Sequence, residues 1–226
     1  MKPFLPLRLL PLIPAFLALP CFAGLCEDGH RQSPIDIRTT QRQTLPALAF
    51  EYRPAPLKIA NDGHTVRVRF HGSGQLRIGQ QSFTLQQFHF HTPGGDRISG
   101  EEFPMAAHLL HKSASGQLLA VVVLFRLGAE NPLLNQLLPQ IPAQAHVEKT
   151  PTGISVDASA LLPAQLGYFR YSGSLTAAPC TEGVEWIVLK QPLEVSATQL
   201  AQYRQRFADN ARAVQPLHER VVFESR

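Results

Sequence analysis

Leu85-Gln-Gln-Phe-His-Phe-His91 is followed, after Thr92-Pro-Gly-Gly-Asp96, by Met105-Ala-Ala-His-Leu-Leu-His111. Along an extended chain alternate side chains share a face. His89 and His91 therefore point one way, Phe88 and Phe90 the other. With aromatic rings behind them, the histidines face an interior or a cavity. The turn-forming residues predict a return strand over about 104–111, which brings His108 alongside the first two. Three neutral imidazoles with a fourth position left open are the ligand set of a catalytic zinc site. No cysteine or carboxylate ligand adjoins them, which favours Zn2+ over the oxygen-seeking Ca2+ and Mg2+.

The 226 residues are 44% hydrophobic and 17% charged, which suits one globular domain with a substantial core. The first residues stand apart. Lys2 and Arg8 are followed by an apolar run, Leu9–Leu19, too short to span a bilayer, and Cys21-Phe-Ala23 offers a small-residue cleavage site. Residues 1–23 are expected to be a signal peptide and residues 24–226 the mature domain, periplasmic or secreted, with no stable membrane span. A lipid-anchored Cys21 is the alternative, although Pro20 suits it poorly. Without Lys2 and Arg8 the formal charge falls from +4 to +2, and no basic cluster is interleaved with aromatics. A nucleic-acid partner is therefore not expected. Cys26 and Cys180 remain as an even pair in an oxidising compartment. A bridge between them would close a loop of about 150 residues; two buried free thiols are the other reading.

Short extended segments are predicted at Leu48–Tyr52, Leu57–Asn61, Thr65–Phe70, Gln75–Ile78, Ser82–His91, Tyr168–Tyr171, Val184–Leu189 and Arg220–Phe223. Leu118–Phe125 is continuously apolar and reads as a strand buried on both faces. Asn131-Pro132 caps and opens a short helix to about Leu138. Ser196-Ala-Thr-Gln199 is a capping box ahead of a Leu200, Tyr203, Phe207 stripe. The fold class expected is mainly β: one domain on a large twisted, mostly antiparallel sheet with a few short peripheral helices.

Eight blocks then fall in order. They are Gln32-Ser-Pro-Ile-Asp-Ile37, Asn61-Asp-Gly-His64, Gln87-Phe-His-Phe-His91, His108-Leu-Leu-His111, Gly173-Ser-Leu-Thr176, Pro179-Cys-Thr-Glu-Gly183, Trp186-Ile-Val-Leu189 and Val214-Gln-Pro-Leu217. Together they closely resemble the α-class carbonic anhydrases, especially exported bacterial ones, over nearly the whole mature chain. The resemblance implies zinc held by His89, His91 and His108, a Cys26–Cys180 disulfide, and reversible hydration of CO2 to bicarbonate and a proton by a monomer or dimer. It matches Thr176 to the threonine that orients the zinc hydroxide, His64 to the proton shuttle, and Gln87 to an acceptor that fixes a ligand ring. It matches Leu110, Val121, Leu175, Val184 and Trp186 to the apolar CO2 pocket, and His111 to a structural histidine.

Three departures qualify the match. Gly95 stands where the family carries a glutamate that accepts from the threonine hydroxyl; Asp96 would substitute only if the turn shifts register. On that reading Gly95→Glu should raise turnover. Ala106 replaces the glutamate that bonds the third ligand's far nitrogen, a loss worth roughly 10–100-fold in metal affinity or activity. The aromatic arm that usually precedes Gln32 is missing, which leaves one cavity wall more open. The alternative reading is a zinc-loaded binding protein with weak or no catalysis. A cupin-type site would want a glutamate about four residues after the second histidine, where Gly95 stands instead.

Overall fold

The computed structural model describes residues 24–226. The expected signal peptide and Cys21 lie outside the described residues. Thirteen strands form one sheet. Its centre runs, in spatial order, Val66–Arg69, Gln81–His91, Met105–Ser113, Leu118–Leu127, Glu182–Leu189 and Tyr168–Ser174. Most neighbours are antiparallel, as expected. The middle is not: Leu118–Leu127 runs parallel to Glu182–Leu189 and to Leu193–Val195. The valine-rich run at the sheet centre is buried on both sides, as its lack of alternation predicts.

The sheet separates two apolar layers. The larger contains Phe83, Leu85, Phe88, Phe90, Leu109, Val121, Val123, Phe125 and the helix stripe Leu200, Tyr203, Phe207. The smaller contains Ile35, Ala106, Ala120, Val122, Tyr171, Val184 and Trp186. The buried residues of the Gln81–His91 strand keep one parity as far as Leu85 and the opposite parity from Phe88. A bulge makes this work. Leu110 pairs with Gln87 and His111 with Leu85, so Gln86 is an extra residue in its strand. All four apolar side chains thereby enter the larger layer, at about 1.5–3 kcal/mol each for full burial. Gln87, His89 and His91 are turned to the opposite face.

Both predicted helices form. Pro132–Leu137 starts on Asn131, whose side chain accepts from the Leu133 and Leu134 amides. Ala197–Phe207 carries the full Ser196/Gln199 capping box. Some boundaries move. The closing strand is Phe223–Ser225, not Arg220–Phe223. Arg220 instead spends its guanidinium on the carbonyls of Pro216, Leu217 and Ser172, which fixes a turn. The strand expected from Leu57 begins at Ile59, because the Leu57 amide bonds to the Ile154 carbonyl outside the sheet. The return to His108 is no tight turn: Arg97–Ile98 within it pairs in parallel with Asp36–Ile37.

The N-terminal segment is sewn to the sheet. Cys26 and Cys180 form a disulfide with an S–S distance of 2.10 Å. Closing a loop of that length is worth about 4–5 kcal/mol at most in the chain-entropy picture. Ser33 and Ser174 exchange amide-to-hydroxyl bonds of 3.0 and 3.1 Å. This close approach requires Gly173, where a Cβ would lie 2.1 Å from Ser33 Oγ and 2.7 Å from Trp186 Cδ1. Gly173→Ala should therefore cost about 1–3 kcal/mol by overpacking. The measurement is a lower urea midpoint with an unchanged m value.

Candidate metal centre

His108 pairs directly with His89, and Ala106 with His91, so the three imidazoles sit on one face of adjacent strands. One nitrogen from each ring lies within 4.8 Å of the others. Ring centroids are 4.9, 5.3 and 4.4 Å apart for the 89–91, 89–108 and 91–108 pairs. Two rings are pinned from behind. His89 Nδ1 stands 3.0 Å from Gln87 Oε1, and His91 Nδ1 stands 3.1 Å from the Asn210 carbonyl. Both partners are acceptors, so each Nδ1 carries the proton and each Nε2 keeps its lone pair for a metal. The Nε2 atoms of His91 and His108 are buried without a protein partner.

Burial drives the proton affinities down. His91 is lowered to about 4, chiefly by burial. His89 and His108 fall well below the ordinary histidine value, first by burial and then by neighbouring rings; the charge of Arg67 adds to the effect at His89. All three rings are therefore neutral at physiological pH and free to donate lone pairs. Desolvation that would be a cost for a surface histidine here prepares a ligand set.

His89 and His91 line a cavity of about 520 Å3 together with His64, Thr176, Arg67, Asp62, Asn210 and Arg212. His64 sits exposed at the mouth. Its amide donates to Asp62 Oδ1 at 3.0 Å, and its carbonyl accepts from Asn210 Nδ2 at 2.8 Å. The smaller apolar layer approaches from the other side: the Trp186 ring meets His108 edge-on at 5.1 Å. Leu110, Leu175 and Val184 belong to that layer. Val121 does not. It pairs with Leu109 and lies in the larger core. Ala120, paired with Leu110, and Val122, paired with His108, occupy the histidine face instead. Within an unbroken apolar run, composition cannot tell which residue faces which layer, and the sequence reading was one residue out of phase.

The profile of the eukaryotic-type carbonic anhydrase family matches residues 22–226. The chain belongs to that family. A carbonic anhydrase of Pectobacterium carotovorum is 41% identical over 203 residues, 88% of this chain and 82% of the relative. The α-carbonic anhydrase of Thermovibrio ammonificans, solved with sulfanilamide, superposes with a TM-score of 0.85 at 36% identity, covering 89% and 90% of the two chains. Dioscorin, solved in complex with ascorbate, superposes with a TM-score of 0.82 at 34% identity over 90% and 89%. Membership carries the enzyme class with it, carbonate dehydratase.

Against the carbonic anhydrase pattern, the departures have physical consequences. Ala106 is fully buried on the ligand face, and the Nε2 of His108 two residues on has no acceptor. Gly95 adopts φ +85°, and a Cβ there would meet Pro34 Cγ at 3.3 Å. A glutamate at this backbone would be strained and would press on Pro34, so Gly95→Glu carries a stability cost alongside any effect on turnover. Asp96 does not replace the missing carboxylate. Its Oδ1 accepts from the Ile35 amide at 3.1 Å and the Tyr171 hydroxyl at 2.9 Å, and its Oδ2 is buried with no partner. Thr176 is thus not bonded to it. His111 is buried and meets the Tyr52 hydroxyl at 2.7 Å in the larger core, away from the cavity. Asn210, Arg67 and Ala120 escaped the sequence reading. Asn210 lies 119 positions from His91, and no local pattern marks it.

Burial pushes the Asp96 carboxyl up to about 7, outweighing its hydrogen bonds. The folded state therefore keeps a proton that the unfolded chain releases near its ordinary value of 3.8. The contribution of Asp96 to stability is largest below that value, declines as pH rises toward about 7, and levels off above it, while the buried histidines, whose values are lowered, contribute in the opposite sense as pH falls below about 6.5. The full span for Asp96 is about 4 kcal/mol. The difference in urea-unfolding free energy between wild type and Asp96→Asn should shrink as pH rises from about 4.5 to about 8, a comparison in which the opposing contribution of the buried histidines cancels.

Proposed function

We propose that this chain is an exported, zinc-dependent carbonic anhydrase that interconverts CO2 and water with bicarbonate and a proton. The observation that carries the reading is the convergence of three neutral imidazoles, two of them locked by acceptors behind the ring. An all-nitrogen triad with no thiolate or carboxylate suits Zn2+, and His91 Nε2, buried without a protein partner while its Nδ1 faces the Asn210 carbonyl, fits a metal ligand. His89, His91 and His108 would hold it. Bound zinc would supply an acidified water, its pKa lowered from about 15.7 to about 7, as the nucleophile.

The chain's own residues do the rest. Leu110, Leu175, Val184 and Trp186, with Ala120 in place of Val121, offer CO2 a dry wall beside the triad. Thr176 offers a hydroxyl to orient the attacking oxygen. Without a carboxylate behind it, that hydroxyl is free to rotate, which favours a turnover below that of relatives with the glutamate. His64, exposed and fixed through its backbone on both sides, takes the released proton to buffer. Gln87 holds His89 in the tautomer that ligation needs. The disulfide supports an oxidising compartment, the periplasm or outside the cell. No helix among the described residues is long and apolar enough to cross a membrane.

Stopped-flow measurement with purified protein should show CO2 hydration with one zinc per chain. A chelator should remove both metal and activity, and added Zn2+ should restore them. A folded, zinc-loaded chain with no rate above buffer would instead make this a binding protein. Ala106→Glu would give His108 Nε2 an acceptor. It should slow zinc loss to a competing chelator about tenfold, while lowering the stability of the metal-free protein because a carboxylate is then buried.

A further inference from the structure

We infer that Arg67 forms an anion subsite inside the metal cavity, one that takes a small monoanion of carboxylate shape and, in the proposed reaction, bicarbonate. The inference rests on the metal-centre reading only for the identity of that anion. Arg67 lies on Val66–Arg69 and is the direct cross-strand partner of His89, so its side chain leaves the sheet on the ligand face. It lines the same cavity as His89, His91 and Thr176.

The guanidinium is held but not used up. Nη2 pairs with Asp62 Oδ2 at 2.7 Å, and Asp62 is itself fixed because its Oδ1 accepts from the His64 and Thr65 amides. Nε is buried with no partner. The side chain remains about one-third exposed, on the cavity side. A guanidinium has five donors, so one carboxylate oxygen leaves most of them unanswered. The other cavity arginine differs. Arg212 donates to the Gln32 side chain and to the carbonyls of Ser33 and Cys26, and so serves the N-terminal segment.

The remaining charged groups of the cavity do not compete for Arg67. Asp62 is the partner already named, and Asp209 faces Arg204 at 3.6 Å. A monoanion with one oxygen toward the triad therefore finds a fixed cation beside it, with donors in a planar fork that matches two carboxylate-type oxygens. A neutral substrate such as CO2 gains nothing from that fork. Arg67 is thus a specificity-determining group for the charged partner of the reaction, and it predicts retention of bicarbonate and sensitivity to small carboxylates.

The test uses the protein loaded with Co2+, whose visible spectrum reports ligands entering the metal's open position. Bicarbonate and acetate are titrated as monoanions, and imidazole as a neutral control. Arg67→Gln should raise the dissociation constants of both anions about fivefold or more and leave that of imidazole unchanged; Arg67→Lys should recover part of the loss. Equal weakening of anions and imidazole would show that Arg67 only supports the wall, and unchanged anion constants would overturn the subsite. The two readings fail separately. Wild type that binds acetate through Arg67 yet hydrates no CO2 keeps the subsite and loses the enzyme; wild type that hydrates CO2 while Arg67→Gln binds anions normally does the reverse. Should no cobalt be taken up, the metal centre falls, and acetate titration by calorimetry still decides on Arg67.

Discussion

One extra residue in one strand holds the arrangement together. Without the bulge at Gln86, side-chain parity would run unbroken from Phe83 to His91. Either Phe83 and Leu85 or Phe88 and Phe90 would then have to leave the larger core. Burying all four in one layer forces the change of parity, and the change of parity turns Gln87, His89 and His91 toward the cavity. The hydrophobic effect thus aims polar groups that it does not itself favour. The direct pairing of His108 with His89 then completes the facet, because residues opposite one another across an antiparallel pair share a face.

The same burial sets the electrostatics. Imidazoles surrounded by Trp186, valines and one another cannot easily hold a proton, so they remain lone-pair donors. Most charge in the cavity is answered: Asp62 pairs with Arg67, Asp209 with Arg204, and Arg212 is spent on carbonyls, which leaves Arg67, beside His89, as a cation with donors to spare. The wall on the Trp186 side is apolar, and the wall on the Arg67 side is polar. That division suits an apolar gas on one side and a hydrated anion and proton on the other.

The turn between the ligand strands follows a different solution from the family's. Its carboxylate, Asp96, points away from the cavity to hold the Ile35 amide and Tyr171. It fastens the N-terminal segment at one end, while the disulfide and the Ser33–Ser174 pair fasten it near the strand that leads to Thr176. Structural stitching has taken a position near the chemistry. The threonine and His108 are left with fewer hydrogen-bond partners than the family pattern provides.

Much of this was written locally. The His-x-His alternation, the Phe88 and Phe90 backing, the N-caps at Asn131 and Ser196, and the buried valine run each depend on residues a few positions apart, and local periodicity reports such features. Ala106 and Gly95 stood out only through the resemblance, as positions where the family pattern carries glutamate and this sequence does not. Tertiary structure decided what depends on distant contacts. It set the phase of Val121 against Ala120, since both are apolar and only the pairing with Leu109 and Leu110 separates them. It brought the Asn210 carbonyl to His91 and left Arg67 half-used beside His89. It also turned Asp96 inward, where burial rather than the residue's own chemistry governs its proton.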